Sequence, residues 1–179
     1  VLIATGLHRP MTEGEMKERF GDEIMRRCAI VNHNARDNAS LTDLGMLSTG
    51  NRLLINSIAA GCDLLIAEGF IEPHFFAGFS GGRKSILPGI AGESTILYNH
   101  SPMNISSAYA EMGCLEGNPI HKESLEACRR SGLRFILNVT LNRNKQIDAA
   151  FAGHPEFAHE KGCRFVRRRA AYKVKPADI

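Results

Sequence analysis

Four residues, His8, His74, Lys84 and His100, carry the side chains from which chemistry can be built in this chain. An imidazole exchanges protons near neutral pH and ligates borderline metals, and a deprotonated lysine amine attacks carbon electrophiles. Three of the four lie in Glu72–His100, EPHFFAGFSGGRKSILPGIAGESTILYNH, whose Gly-Gly-Arg-Lys-Ser turn and Pro-Gly break interrupt its apolar residues. Glycines at such a turn permit close backbone approach, which marks a site more than a packed element. The two histidines stand too far from Lys84 to share a helical face with it, and no zinc spacing such as H-x-x-x-H is present. Each residue also has a plain reading, as a satisfied structural histidine or as an exposed lysine after a tight turn.

GFSGGRKS invites comparison with the phosphate loop G-x-x-x-x-G-K-[ST]. Gly78 is correctly placed, but Arg83 stands where the second glycine belongs, and Ile71 to Ala77 separate the loop from the preceding strand. Ser80 as the cap of a helix starting near Gly81 would aim backbone N–H groups at an anion. A nucleotide- or anion-binding module without redox chemistry is therefore the alternative function. Arg9 and Arg83 are candidates for carboxylate or phosphate pairing, with surface salt bridges as their ordinary use.

The surrounding pattern must position these groups. Val1 to Thr5 reads as a strand that delivers His8 to a loop at its carboxyl end, where open α/β sheets gather binding residues. Thr12 and Glu15 form a capping box for a helix from Glu13 to Phe20, followed by a helical turn from Asp22 to Met25. Cys28 to Asn32 is a strand leading to a polar loop with His33, Asn34, Arg36 and Asp37, which is either a substrate or metal loop or hydrogen-bonded turn structure. Leu41 to Leu47 and Arg52 to Ile55 flank a hairpin turn. Cys62 to Ala67, nearly all apolar, is expected to be a central strand covered on both faces, with the Glu72–His100 segment starting just past it. A helix is expected from Pro102 toward Gly113, and a better one from Asn118 and Pro119 to Gly132, with His121 on its surface. Arg134 to Leu141 and Gln146 to Phe151 resemble a hairpin, and Pro155 opens a last helix ending near Ala171. These elements predict an α/β domain over residues 1–172, layered, with a mixed, largely parallel sheet flanked by helices, and a linker at 173–179.

Composition narrows the function classes. A net charge of +3 does not argue for nucleic acid, and Arg164, Arg167, Arg168 and Arg169 read as a solvated helix face. No apolar run is long enough for a membrane span, so no membrane partner is expected. Cys28, Cys62, Cys114, Cys128 and Cys163 form no regular framework, which points to reduced, mostly buried thiols and a cytoplasmic location.

GLHRPMTEGE, VNHNARD, the Glu72–His100 segment and GNPIH, in this order, resemble the nickel-pincer lactate racemase family along nearly the whole chain. The resemblance implies a two-domain α/β enzyme whose cofactor is a nickel-pincer nucleotide, a pyridinium mononucleotide that binds nickel through sulfur, carbon and sulfur. It implies a covalent cofactor link at Lys84, a nickel ligand at His100, and proton-transfer roles for His8 and His74. The implied reaction is racemisation or epimerisation of a small 2-hydroxy acid by reversible hydride transfer through a 2-keto intermediate, with cofactor-assembling enzymes as partners. The family's upstream Asp-Lys-Thr-Arg stretch and its C-terminal domain are absent from this sequence, so the implied object is a fragment with half a cleft, inactive alone.

Overall fold

The computed structural model describes residues 1–170; the linker assigned to 173–179 lies outside the described residues. In chain order the elements are β1 (Leu2–Ile3), α1 (Glu13–Arg27), β2 (Val31–Asn32), β3 (Leu41–Met46), β4 (Arg52–Asn56), α2 (Ser57–Ala60), β5 (Leu65–Phe70), β6 (Pro73–His74) and β7 (Gly78–Phe79). After a 3-10 turn at Gly82–Ser85 come α3 (Glu93–Asn99), α4 (Pro102–Ile105), α5 (Pro119–Arg130), β8 (Leu133–Leu141), β9 (Ile147–Gly153) and α6 (Pro155–Ala170). The predicted α/β class with a mixed sheet is what forms: β5 pairs with β8 in parallel, β8 with β9 antiparallel, β1 with β2 in parallel, and β3 with β4 antiparallel.

Local chemistry explains several boundaries. Thr12 caps α1 in a complete capping box with Glu15, and the helix bends at Gly21, whose φ of 73° no other residue adopts cheaply. Asn118 caps α5 by accepting the N–H groups of Ile120 and His121, and Pro119 occupies the first turn, where it forfeits no hydrogen bond. Helix α4 is a single turn and not the longer helix expected toward Gly113.

The strand expected to be central is not. β5 begins at Leu65, lies at the edge of the β5-β8-β9 sheet and alternates half-buried with exposed residues, leaving Leu64 and Ile66 64% and 60% exposed. An unbroken apolar run does not say which strand pairs on both sides, and here that place goes to β8. Ile136, Asn138 and Thr140 of β8 point inward.

The main core joins Leu53 and Ile55 of β4, Ile86, Leu87, Ile90 and Ala91 beyond the 3-10 turn, and Ala127 and Cys128 of α5. A smaller cluster of Ile71, Phe79, Cys163 and Val166 seals α6 against the segment after β5. The cysteines are all free, but only Cys128 and Cys163 are buried; Cys28 and Cys62 are exposed, against the expectation for them. Among the described residues no helix is long and apolar enough to cross a membrane.

Candidate functional site

The glycine-rich segment folds as a short hairpin followed by a tight turn. β6 and β7 pair His74 with Gly78, whose φ of +78° and close approach to the Cys114 carbonyl leave no room for a side chain. Ser80 does not cap the turn that follows. Its hydroxyl accepts the Glu72 N–H at 2.9 Å and donates to the Phe70 carbonyl at 3.0 Å, while Gly81, at φ 76°, takes the cap position. The Gly82 N–H donates to Asn138 Oδ1 at 2.8 Å and the Lys84 N–H to the Gly81 carbonyl at 3.2 Å. Two of the backbone donors that a phosphate at this turn would use, those of Gly82 and Lys84, are thus already engaged.

Arg83 is neither an anion ligand nor a surface residue. It is 1% exposed and donates through Nη2 to the Ala77 carbonyl at 2.7 Å and through Nη1 to the Phe79 carbonyl at 2.8 Å, so its guanidinium braces the turn. Arg9, by contrast, forms the exposed salt bridge expected of it, with Glu15 at 2.6 Å.

Lys84, His74 and His100 come together around Phe76, a residue that the sequence reading passed over. The Phe76 ring meets His74 and His100 edge to face, with centroids 4.7 and 4.9 Å apart, and the Lys84 ammonium lies 5.8 Å from its centroid. Phe75 stacks flat on His74 at 4.7 Å. The only signal in sequence was the Phe-Phe pair beside His74.

The electrostatics follow from burial among cations. Burial, then Arg83, lowers the Lys84 amine to about 8. Burial, then Lys84, then Arg83 and His100, lowers His74 to about 4; burial and then Lys84 lower His100 to about 4. Both imidazoles are therefore neutral at pH 7. Ala77 N–H donates to His74 Nδ1 at 3.3 Å, and His100 Nδ1 is buried without a hydrogen-bond partner among the described residues. A neutral imidazole with an unpartnered buried nitrogen is chemically suited to a metal. No group of three or more protein donors that could hold a metal occurs among the described residues.

His8 lies exposed on the loop after β1. That loop is joined to the Lys84 segment by the Gly6 N–H, which donates to the Gly89 carbonyl at 2.9 Å. The polar loop after β2 is structural: buried His33 bonds the Ala91 carbonyl at 2.9 Å through Nε2 and the Asn56 amide at 3.1 Å through Nδ1. His121, expected on the surface, is half-buried and pushed down to about 3, by burial first and then by Arg83.

A family model described as the lactate racemase N-terminal domain matches residues 1–113. Over 179 residues the chain is 51% identical to a lactate racemase of Thermoanaerobacterium thermosaccharolyticum and 48% identical to one of Lactiplantibacillus plantarum, covering 100% of this chain and 42% of each relative. The solved lactate racemase apoprotein from T. thermosaccharolyticum superposes with a TM-score of 0.96 at 51% identity, over 99% of this chain and 42% of that one. A Thermotoga maritima protein, 24% identical, shares the fold with a TM-score of 0.79, over 93% of this chain and 46% of that one. The chain thus spans 42% of the length of these curated relatives, and by the family match it belongs to the lactate racemase N-terminal domain family.

Proposed function

We propose that residues 1–172 are the cofactor-anchoring α/β domain of an enzyme that racemises or epimerises a small 2-hydroxy acid, lactate or a close relative, with a lysine-linked nickel-pincer nucleotide. The observation that carries the reading is the gathering of Lys84, His74 and His100 around one phenylalanine ring, within a chain half identical to named lactate racemases. The residues present fit such a group. An amine lowered to about 8 is free in about a tenth of molecules at pH 7, against far fewer for an ordinary lysine, and only the free amine can be acylated. His100 offers a neutral nitrogen without a partner among the described residues, and since no protein cluster among those residues would complete a metal's shell, the other donors would come from the cofactor.

The chemistry that the group supplies when bound is reversible acceptance of the substrate's Cα hydride. The chain's own residues do the rest. His74, held neutral by burial and by Lys84, keeps one basic ring nitrogen; that nitrogen is Nδ1, which accepts the Ala77 N–H at 3.3 Å, so taking a hydroxyl proton requires this long contact to give way. The Lys84 ammonium is, after burial, the largest influence that holds His74 down, so the two side chains are coupled electrostatically. His8 supplies the second proton carrier that inversion needs, from a loop joined to the same segment through Gly6 and Gly89. The cofactor-assembling enzymes act on Lys84.

The test uses the full-length protein produced with those enzymes. Mass spectrometry is expected to find an adduct on Lys84; an unmodified lysine without bound nickel would sink the reading. His8→Ala and His74→Ala should abolish racemisation with nickel retained, whereas His100→Ala should lose nickel. Wild-type activity in either of the first two variants refutes the two-base assignment.

A further inference from the structure

The turn that carries Lys84 is held from below by two side chains that lie outside the family match. Asn138 sits in the middle of β8, wholly buried, paired in register with Gly69 of β5. A polar side chain at the centre of a sheet is costly unless its hydrogen bonds are made. Asn138 Oδ1 accepts the buried Gly82 N–H at 2.8 Å, and its Nδ2 donates to the Leu137 carbonyl at 3.2 Å. His159 of α6 is 2% exposed and its Nε2 lies 2.9 Å from the Ser80 carbonyl and 3.1 Å from Arg83 Nη1. Since the two N–H groups of Arg83 Nη1 donate to the Phe79 and Gly81 carbonyls at 2.8 and 3.3 Å, the proton of neutral His159 is assigned to Nε2, where it is donated to the Ser80 carbonyl.

The fit is close as well as polar. A Cβ built on Gly81 would lie 2.9 Å from Asn138 Oδ1, and one on Gly82 would lie 2.7 Å from His159 Cδ2. With φ at +76° and +55°, both positions also need glycine for their backbone. The two glycines before Arg83 and Lys84 therefore exist to let the chain seat itself on Asn138 and His159.

We infer that Asn138 and His159 are positioning residues for Lys84: they clamp the Gly81–Lys84 turn and so hold the lysine amine at its half-buried place beside Phe76. The role as a reaction device rests on the proposed anchoring of a cofactor at Lys84, but the clamp itself is measurable without cofactor.

The experiment takes cofactor-free full-length protein as wild type, Asn138→Ala, Asn138→Asp and His159→Ala. Two quantities are read: hydrogen exchange at the Gly82 amide, and the pH profile of Lys84 acetylation by acetic anhydride, with exposed Lys122 as internal reference. In Asn138→Ala, Gly82 exchange should rise about tenfold or more while the α5 amides keep their protection, and the Lys84 midpoint should move upward from about 8 by at least about one pH unit. Asn138→Asp, which keeps the acceptor oxygen, should return Gly82 exchange to near wild type, and His159→Ala should shift the acetylation profile in the same direction as Asn138→Ala. Unchanged Gly82 protection in Asn138→Ala overturns the clamp. Faster Gly82 exchange with an unmoved Lys84 profile overturns the positioning role, leaving only a structural contact. Absence of an adduct on wild-type Lys84 after production with the assembling enzymes would overturn the proposed function instead, and neither cofactor-free readout depends on it.

Discussion

Asn99, the residue before His100, donates its side-chain amide to the carboxylate of Glu123 at 2.6 Å, and both residues are fully buried. Thr49 donates its hydroxyl to the same carboxylate, so Glu123 ties the end of α3 to the β3–β4 turn. Glu123→Ala strands the buried Asn99 amide, while exposed Thr49 can turn to water, and is expected to destabilise the protein by about 1 to 3 kcal/mol. Glu123→Gln keeps an acceptor oxygen and should cost less than half of that. Urea denaturation of the two variants checks the order; equal losses would show that the hydrogen bonds are not what Glu123 contributes.

Lys84 should react as an unusually acidic lysine. Its acetylation rate is expected to rise with pH through a midpoint of about 8, whereas exposed lysines titrate near 10.5. Peptide mass spectrometry after brief acetic anhydride pulses, at pH values from 6 to 11, reads this directly. A midpoint at the ordinary lysine value would mean that the amine is solvated.

Acid should weaken the fold before the carboxylates titrate. Burial lowers His159 to about 3 from an ordinary 6.5, and His121 likewise to about 3. Below pH 6.5 the unfolded chain binds protons that the folded chain refuses, so the stability these groups contribute is full above that pH and is lost as pH falls toward about 3. For His159 the slope approaches about 1.4 kcal/mol per pH unit. Urea midpoints measured at pH 7.5, 6, 5 and 4 should fall steadily, and His159→Gln should flatten the fall. An unchanged midpoint from pH 7.5 to 5 would contradict it.

Gly78→Ala should be among the most damaging single-methyl changes in the chain. The new Cβ would collide with the Cys114 carbonyl in a backbone at φ +78°, and main-chain atoms on both sides leave little to move. A loss of at least about 3 kcal/mol is expected in denaturant, against no loss at Gly14, a position in α1 whose Cβ would meet open space and where alanine favours the helix.

Much of the scaffold is legible locally. The Thr12–Glu15 box, the Asn118–Pro119 start of α5 and the β3–β4 hairpin each arise from residues a few positions apart, and each forms where its residues stand. The edge position of β5 is not local. Its run of apolar residues would suit either place in a sheet, and its single pairing is decided by where β8 and β9 lie. The same holds for Arg83, which by type belongs on the surface and is buried because three main-chain carbonyls converge on its guanidinium.

The sequence by itself determined which residues can do chemistry and the family that they resemble, because side-chain type and a long ordered motif are properties of the string. Only the tertiary structure decided that Lys84, His74 and His100 share the Phe76 ring, that both imidazoles are neutral, and that Asn138 and His159 lie beneath the lysine's turn. Those are matters of distance and burial between residues far apart in the chain. Desolvation and the field of neighbouring charges have no value until the chain has closed around them.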